Sequence, residues 1–210
     1  MFTKCVIVSG RAHPGESNGS YVMEGFLNFL CSSSKVAQNL RKKTIFKIVP
    51  MLNPDGVVLG NYRTGLSGKD FNREFLYPDA KIFPEVYAMK KLVTENKEVF
   101  KDNLQLFLDF HGHSVKKNVF MYGPEYPIIH RHYYDCRLFP KLLSDHTKMF
   151  RFYSCIFKVS EFKYSTARAV LLRKLNIPFS YTIESSNGSY YDNEQLKDIA
   201  FNEKSWEHMG

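Results

Sequence analysis

The stretch that most constrains the fold is residues 104–110, LQLFLDF. Apolar side chains at nearly every position mean that both faces of the segment are buried, as in an inner strand of a sheet covered by helices on each side. Strand-like and helix-like runs alternate around it. Short strands are expected at 3–9, 44–50, 118–122 and 179–184. Helical spacing marks 18–31, with Val22, Phe26, Phe29 and Leu30 on one face and Ser17 as its cap. It also marks 85–101, with Val86, Met89, Val93 and Phe100 on one face, and 137–150 and 166–176, the last stopped at Asn176. A final helix is expected after Asp192. This alternation predicts an α/β fold with a mostly parallel mixed sheet flanked by helices. The stretch 51–80, rich in Gly, Asn, Asp and Pro, is too long for a plain connection and reads as functional.

A chain of 210 residues corresponds to one domain, 1–210, and its 44% hydrophobic content, with 18 Phe and 13 Tyr, fills a sizeable core. The net charge is +8, yet the basic residues cluster only at Arg41-Lys42-Lys43 and Lys116-Lys117, too short for a nucleic-acid-binding arm. No apolar run approaches the roughly 18 residues that span a membrane, and no secretory leader is visible. Cysteines at 5, 31, 136 and 155 form no CxxC pair, and most lie among apolar or aromatic residues, as reduced, buried thiols of a cytoplasmic protein would.

In a sheet of this kind the ligand site lies beyond the carboxyl ends of the strands. Three separate segments place chemistry there. His13 and Glu16 follow the first strand in His13-Pro14-Gly15-Glu16, His111 follows LQLFLDF, and Glu184 closes the last strand. Two histidines and a carboxylate form the ligand set of a catalytic zinc with an open fourth position. His113, two residues on, is an alternative to His111, whereas His130 and His132 lie in a polar, Tyr-rich loop and read as solvated surface. Zinc lowers the pKa of a coordinated water to about 7, and a neighbouring carboxylate, here Glu184, can take its proton and pass it to a leaving amine. The turn Asn53-Pro54-Asp55-Gly56 precedes Arg63, Asn72 and Arg73, and arginines beside such a cleft suit a substrate with a free carboxylate.

Several segments carry a family resemblance: RAHPGE (11–16), GFLNFL (25–30), PMLNPDGVVLGNYRTGLSGKDFNRE (50–74), DFHGHSVKKNVFMYG (109–123), FPKLL (139–143), TARAV (166–170) and SYTIESS (180–186). In this order and density the chain resembles the zinc carboxypeptidases, and within them the cytosolic carboxypeptidase branch. The resemblance implies one Zn2+ per chain on His13, Glu16 and His111, with Glu184 as general base. It implies that Arg63 polarises the scissile carbonyl and that Asn72 and Arg73 clamp the terminal carboxylate. It places Arg168, with Lys163 nearby, in the wall of the specificity pocket. The implied activity is removal of glutamates from the carboxyl ends and side-chain branches of acidic tails, tubulin above all, and the +8 charge then serves to attract such tails. Neither nucleic acid nor membrane is an expected partner. The chain departs from the family at Phe71, where a Leu is usual, and at Ser185-Ser186-Asn187-Gly188. It also starts at the strand leading into His13, so the N-terminal edge strands of the family's domain are expected to be lacking. The competing readings are a zinc deacylase or amidase acting on N-acyl amino acids, and an inactive binding module for acidic tails.

Overall fold

The structure is a computed structural model that describes residues 4–210. In chain order its first elements are β1 (Lys4–Gly10), α1 (Asn18–Cys31), α2 (Lys35–Lys43), β2 (Thr44–Val49), α3 (Pro54–Val58), α4 (Pro84–Phe100), β3 (Leu104–His113) and β4 (Val119–Tyr122). They are followed by α5 (His132–His146), α6 (Ala167–Leu175), β5 (Phe179–Ser186), β6 (Ser189–Asp192), β7 (Lys197–Ala200) and α7 (Glu203–Met209). A five-stranded sheet runs in the order β2-β1-β3-β5-β4. All its pairings are parallel except β4 with β5, so the fold is α/β around a mostly parallel mixed sheet.

The strand alternation decides which residues meet. Cys5, Ile7 and Phe107 face a core built with Val86, Met89 and Val93 of α4 and Val170 and Leu171 of α6. Val8, Leu108, Phe110, Tyr181 and Ile183 face the opposite core, with Val22 and Met23 of α1 and Trp206 and Met209 of α7 packed there. Ser9, Asp109 and His111 fall on the Phe107 side by the same two-residue period. Parallel register sets Ser9 beside Asp109 and His111 beside Glu184. Asn176 closes α6 in the left-handed conformation, the helix stop its side chain favours.

Several sequence expectations are corrected. The expected start of the first strand, at residue 3, lies outside the described residues. His111 does not follow the central strand but lies inside it, because β3 continues to His113. The stretch 51–80 is not wholly irregular: it holds α3 and a short 3₁₀ turn at Phe71–Arg73. Helix α5 occupies 132–146 rather than 137–150. Helix α2 escaped detection because its sequence is polar and only Ala37 is buried, which leaves no apolar stripe to read. Ser17 makes no capping bond to α1, and Phe29 on that helix is exposed. The final helix expected after Asp192 is present as α7, but it begins only at Glu203, and Asp192 itself closes a turn. Its Oδ1 accepts from the backbone N–H of Glu194 and Gln195, which closes an Asx turn and makes β6–β7 a hairpin. All four cysteines are free; Cys5 and Cys136 are buried, but Cys31 is exposed. No helix among the described residues is long and apolar enough to cross a membrane.

Candidate active site

The chain leaves β1 through Arg11, whose φ of 55° turns it sharply. The Arg11 guanidinium donates to the carbonyl of Pro14 and to Ser20 Oγ, both at 2.7 Å, and so pins the His13–Glu16 turn onto α1. Gly15 N–H donates to the Tyr62 carbonyl at 2.8 Å, and a Cβ on Gly15 would stand 2.7 Å from that oxygen. Only glycine lets the loop carrying Arg63 lie this close. Asn53 of the NPDG turn caps α3 by accepting from Gly56 N–H, and its amide reaches the Ala12 carbonyl at 3.3 Å. The turn tetrad is therefore structural: it seats the Arg63 loop against the His13 turn.

His13, Glu16 and His111 converge, with their candidate ligand atoms all within 4.8 Å of one another. The two Nδ1 atoms face each other at 3.1 Å, and Glu16 offers Oε1 to His13 at 2.7 Å and Oε2 to His111 at 2.9 Å. Ligand atoms about 2.0–2.1 Å from a tetrahedral zinc stand roughly 3.3 Å apart, so the donor set and its spacing fit the ion. The far nitrogens are also accounted for. His13 Nε2 lies 2.9 Å from Asp70 Oδ1, and His111 Nε2 lies 2.8 Å from Asp109 Oδ2. Carboxylates there place the ring proton on Nε2 and leave the Nδ1 lone pairs for a cation.

Burial opposes charge on Glu16, but His111 and His13 outweigh it and hold the carboxyl well below its ordinary range. The same competition runs the other way on His111, whose pKa is raised by Asp109 and Glu16 against its burial. Asp70 is also desolvated, yet His13, Arg63 and Arg73 bring it down to about 2. Glu184 differs from these. Burial dominates and pushes it up to about 7, with the nearby histidines lowering it and Glu16 raising it. A carboxylate poised near neutrality beside a cation cage has the character of a proton acceptor and donor.

The residues given a metal, catalytic or substrate-binding role from the sequence all border one cavity of about 220 Å³: His13, Glu16, Arg63, Asn72, Arg73, His111, Arg168 and Glu184. Arg63 donates through Nε and Nη2 to Asp70 Oδ2, both at 2.9 Å. Asn72 is buried, its Oδ1 accepting from Ala167 N–H at 2.9 Å, and Arg73 donates to the Asn72 carbonyl. Arg168 is only 2% exposed and donates to the Gly123 carbonyl, with Tyr122 5.8 Å from its guanidinium. Lys163 sits 4.0 Å above the same Tyr122 ring. Burial lowers the Arg168 pKa to about 10. His113 borders the cavity but stays outside the cage: its Nδ1 accepts from the N–H groups of Val115 and Lys116. His130 is exposed and stacks on Tyr126, and His132 packs edge-on against Phe179.

Sequence reading missed Asp70, Asp109 and Ser9. A signal for Asp109 was present. An Asp inside a run buried on both faces needs a charged or hydrogen-bonding partner, and His111, two residues on, shares its face. Ser9 carried no such signal, since its role depends on the β1–β3 register.

Comparison with known proteins agrees with this geometry. The sequence profile of the zinc carboxypeptidase family matches residues 2–207. The chain is similar to cytosolic carboxypeptidase 4 of Homo sapiens, with 41% identity over 95% of this chain and 19% of that protein. It is similar to cytosolic carboxypeptidase 1 of Mus musculus, with 42% identity over 98% of this chain and 18% of that protein. Among solved structures, a metallo-carboxypeptidase from Burkholderia cenocepacia superposes with a TM-score of 0.81 at 26% identity, covering 100% of this chain and 54% of its own. The chain thus spans about a fifth of the length of these relatives and about half of the solved one. By its profile, its relatives and the fold they share, the chain belongs to the zinc carboxypeptidase family.

Proposed function

We propose that the chain is a zinc-dependent carboxypeptidase that removes glutamates from the ends or side-chain branches of acidic protein tails such as those of tubulin, in the cytosol. The observation that carries this reading is Arg168. Its guanidinium is buried and makes no contact ion pair with a carboxylate among the described residues, in a cavity shared with Lys163 and the His13–Glu16–His111 cage. Glu125 and Glu184 act on it only beyond contact range, and a buried cation without a contact anion is unfavourable, so the cavity suits a ligand that brings its own negative charge. Relatives named cytosolic carboxypeptidases support the same conclusion.

His13, Glu16 and His111 would hold a zinc ion, which would supply Lewis acidity toward a water and a carbonyl. The chain's own residues do the rest. Glu184 accepts the proton of the attacking water and returns it to the departing amine. Arg63 stabilises negative charge developing on the scissile carbonyl oxygen. Asn72 and Arg73 hold the terminal carboxylate, which orients the last peptide bond over the cage. Arg168 and Lys163 read the departing side chain.

The test is release of free glutamate from a polyglutamate peptide. A chelator abolishes it, and Glu184→Ala lowers kcat by about 10³-fold, within the usual range for loss of a general base. Full activity in the Glu184→Ala protein would refute the reading. Preference for an N-acylated single amino acid over the peptide would make the enzyme an amidase instead.

A further inference from the structure

Both cage histidines turn their far nitrogen onto a carboxylate, but the two carboxylates have different surroundings. Neither borders the cavity directly, and Asp109 is 1% exposed. One of its oxygens meets His111 Nε2 at 2.8 Å, and the other accepts from Ser9 Oγ at 2.6 Å. Ser9 and Asp109 are register partners on β1 and β3, so the sheet itself holds this pair together. Asp70 is shared. Its Oδ1 takes His13 Nε2 at 2.9 Å and Asn72 N–H at 2.8 Å. Its Oδ2 takes Arg63 at 2.9 Å and faces Arg73 at 3.7 Å. Both arginines border the cavity and are partly exposed, 42% for the Arg63 side chain and 36% for that of Arg73.

Cations on one oxygen of a carboxylate draw charge away from the other. An anion in the cavity competes for those cations and returns the charge to the hydrogen bond with His13. An imidazole bonded to a more anionic carboxylate is a stronger ligand. Among the described residues Asp109 pairs only with His111 and Ser9 and with no Arg or Lys, so an anion in the cavity has no cation to draw from it, although the Asn72 amide stands 3.4 Å from the same His111 nitrogen.

We propose that the two carboxylates divide the work: Asp109, sealed by Ser9, sets the resting affinity of the cage, and Asp70 makes that affinity rise when a carboxylate in the cavity draws Arg63 and Arg73 away. Both are positioning residues. The inference rests on the zinc-site reading above. It also requires reciprocity, so that Zn2+ tightens glutamate binding by the factor with which glutamate tightens Zn2+.

The experiment measures Zn2+ affinity of the full chain by competition with a chelator, with and without saturating free glutamate, after correcting for Zn2+ bound by glutamate in solution. Asp109→Asn weakens Zn2+ binding by about 10- to 100-fold and keeps the wild-type response to glutamate. Asp70→Asn loses most of the glutamate response and retains only the direct attraction between the two ligands. Ser9→Ala weakens Zn2+ binding severalfold and Ser9→Thr restores it, a rescue that lost packing alone would not give. If Asp109→Asn does not fold, the Ser9 pair carries that half of the test. Unchanged affinity in Asp109→Asn or Ser9→Ala, or a full glutamate response in Asp70→Asn, overturns the inference while the zinc reading stands. A wild-type chain that binds no Zn2+ overturns both.

Discussion

Glu184 shows what the site demands of a single residue. Its carboxyl holds a proton up to about pH 7 in the folded chain, because burial penalises the anion. Unfolded, it ionises near 4.3. Between those values the native state binds more protons than the unfolded one, so stability falls as pH rises, and above pH 7 the full penalty of about 4 kcal/mol is present. Glu184→Gln removes the charge but keeps the shape. The metal-free variant should melt several degrees above wild type at pH 8, with the gap shrinking toward pH 5. An equal gap at both pH values would mean that charge burial is not the source. Arg168 carries the opposite charge into the same cavity. Arg168→Gln should cut the preference for a terminal glutamate over a neutral residue by about 10- to 100-fold in kcat/KM, the worth of a charge-assisted hydrogen bond. Glu184 was legible because a carboxylate late in an apolar strand invites a chemical question, although β5 runs on to Ser186, whereas Arg168, in α6, was reached only through the family resemblance. Asp109 was not legible, since an acid inside LQLFLDF looks like noise in an apolar run until its neighbour on the same face is considered.

At the scale of elements, legibility followed apolar patterning. Helix α4 and strand β3 were readable because one has a stripe buried at helical spacing and the other is buried on both faces. Helix α2 has no stripe. Asp192 can start a helix or close a hairpin with equal ease, and only the pairing of β6 with β7 decides between them. The contact of α7 with α1 was also invisible in sequence. It depends on Gly25: a Cβ there would lie 1.8 Å from the Glu207 carbonyl oxygen. Gly25→Ala should therefore push α7 away from α1, with a loss of about 1–3 kcal/mol. A thermal melt and limited proteolysis just before Glu203 would detect it. An unchanged melt would show that the two helices part without penalty.

At the scale of the whole molecule, a net charge of +8 accompanies a cavity lined by Arg63, Arg73, Lys163 and Arg168. Long-range attraction of this kind acts on encounter and is screened over about 10 Å at 0.1 M salt. Added salt should lower kcat/KM for a long polyglutamate peptide more steeply than for a short peptide bearing a single glutamate, as initial rates across a salt series would report. Equal slopes would place the selectivity in the cavity alone. The layered α/β architecture was readable from alternating strands and helices, but the strand order was not, because parallel pairing joins segments far apart in the chain. That non-local wiring bears on how the protein matures. The two cage histidines are 98 positions apart, and the β1–β3 pairing that brings them together closes a long loop, which is an intrinsically slow step. Until β1 and β3 are in register, two of the three candidate ligands, His13 and Glu16, lie on one side of an open loop and His111 on the other, and such a chain would hold a divalent ion only weakly. A metal binding the native state alone would then act as a checkpoint on folding: it would raise the population of chains whose sheet is correctly assembled and give partly folded ones no advantage.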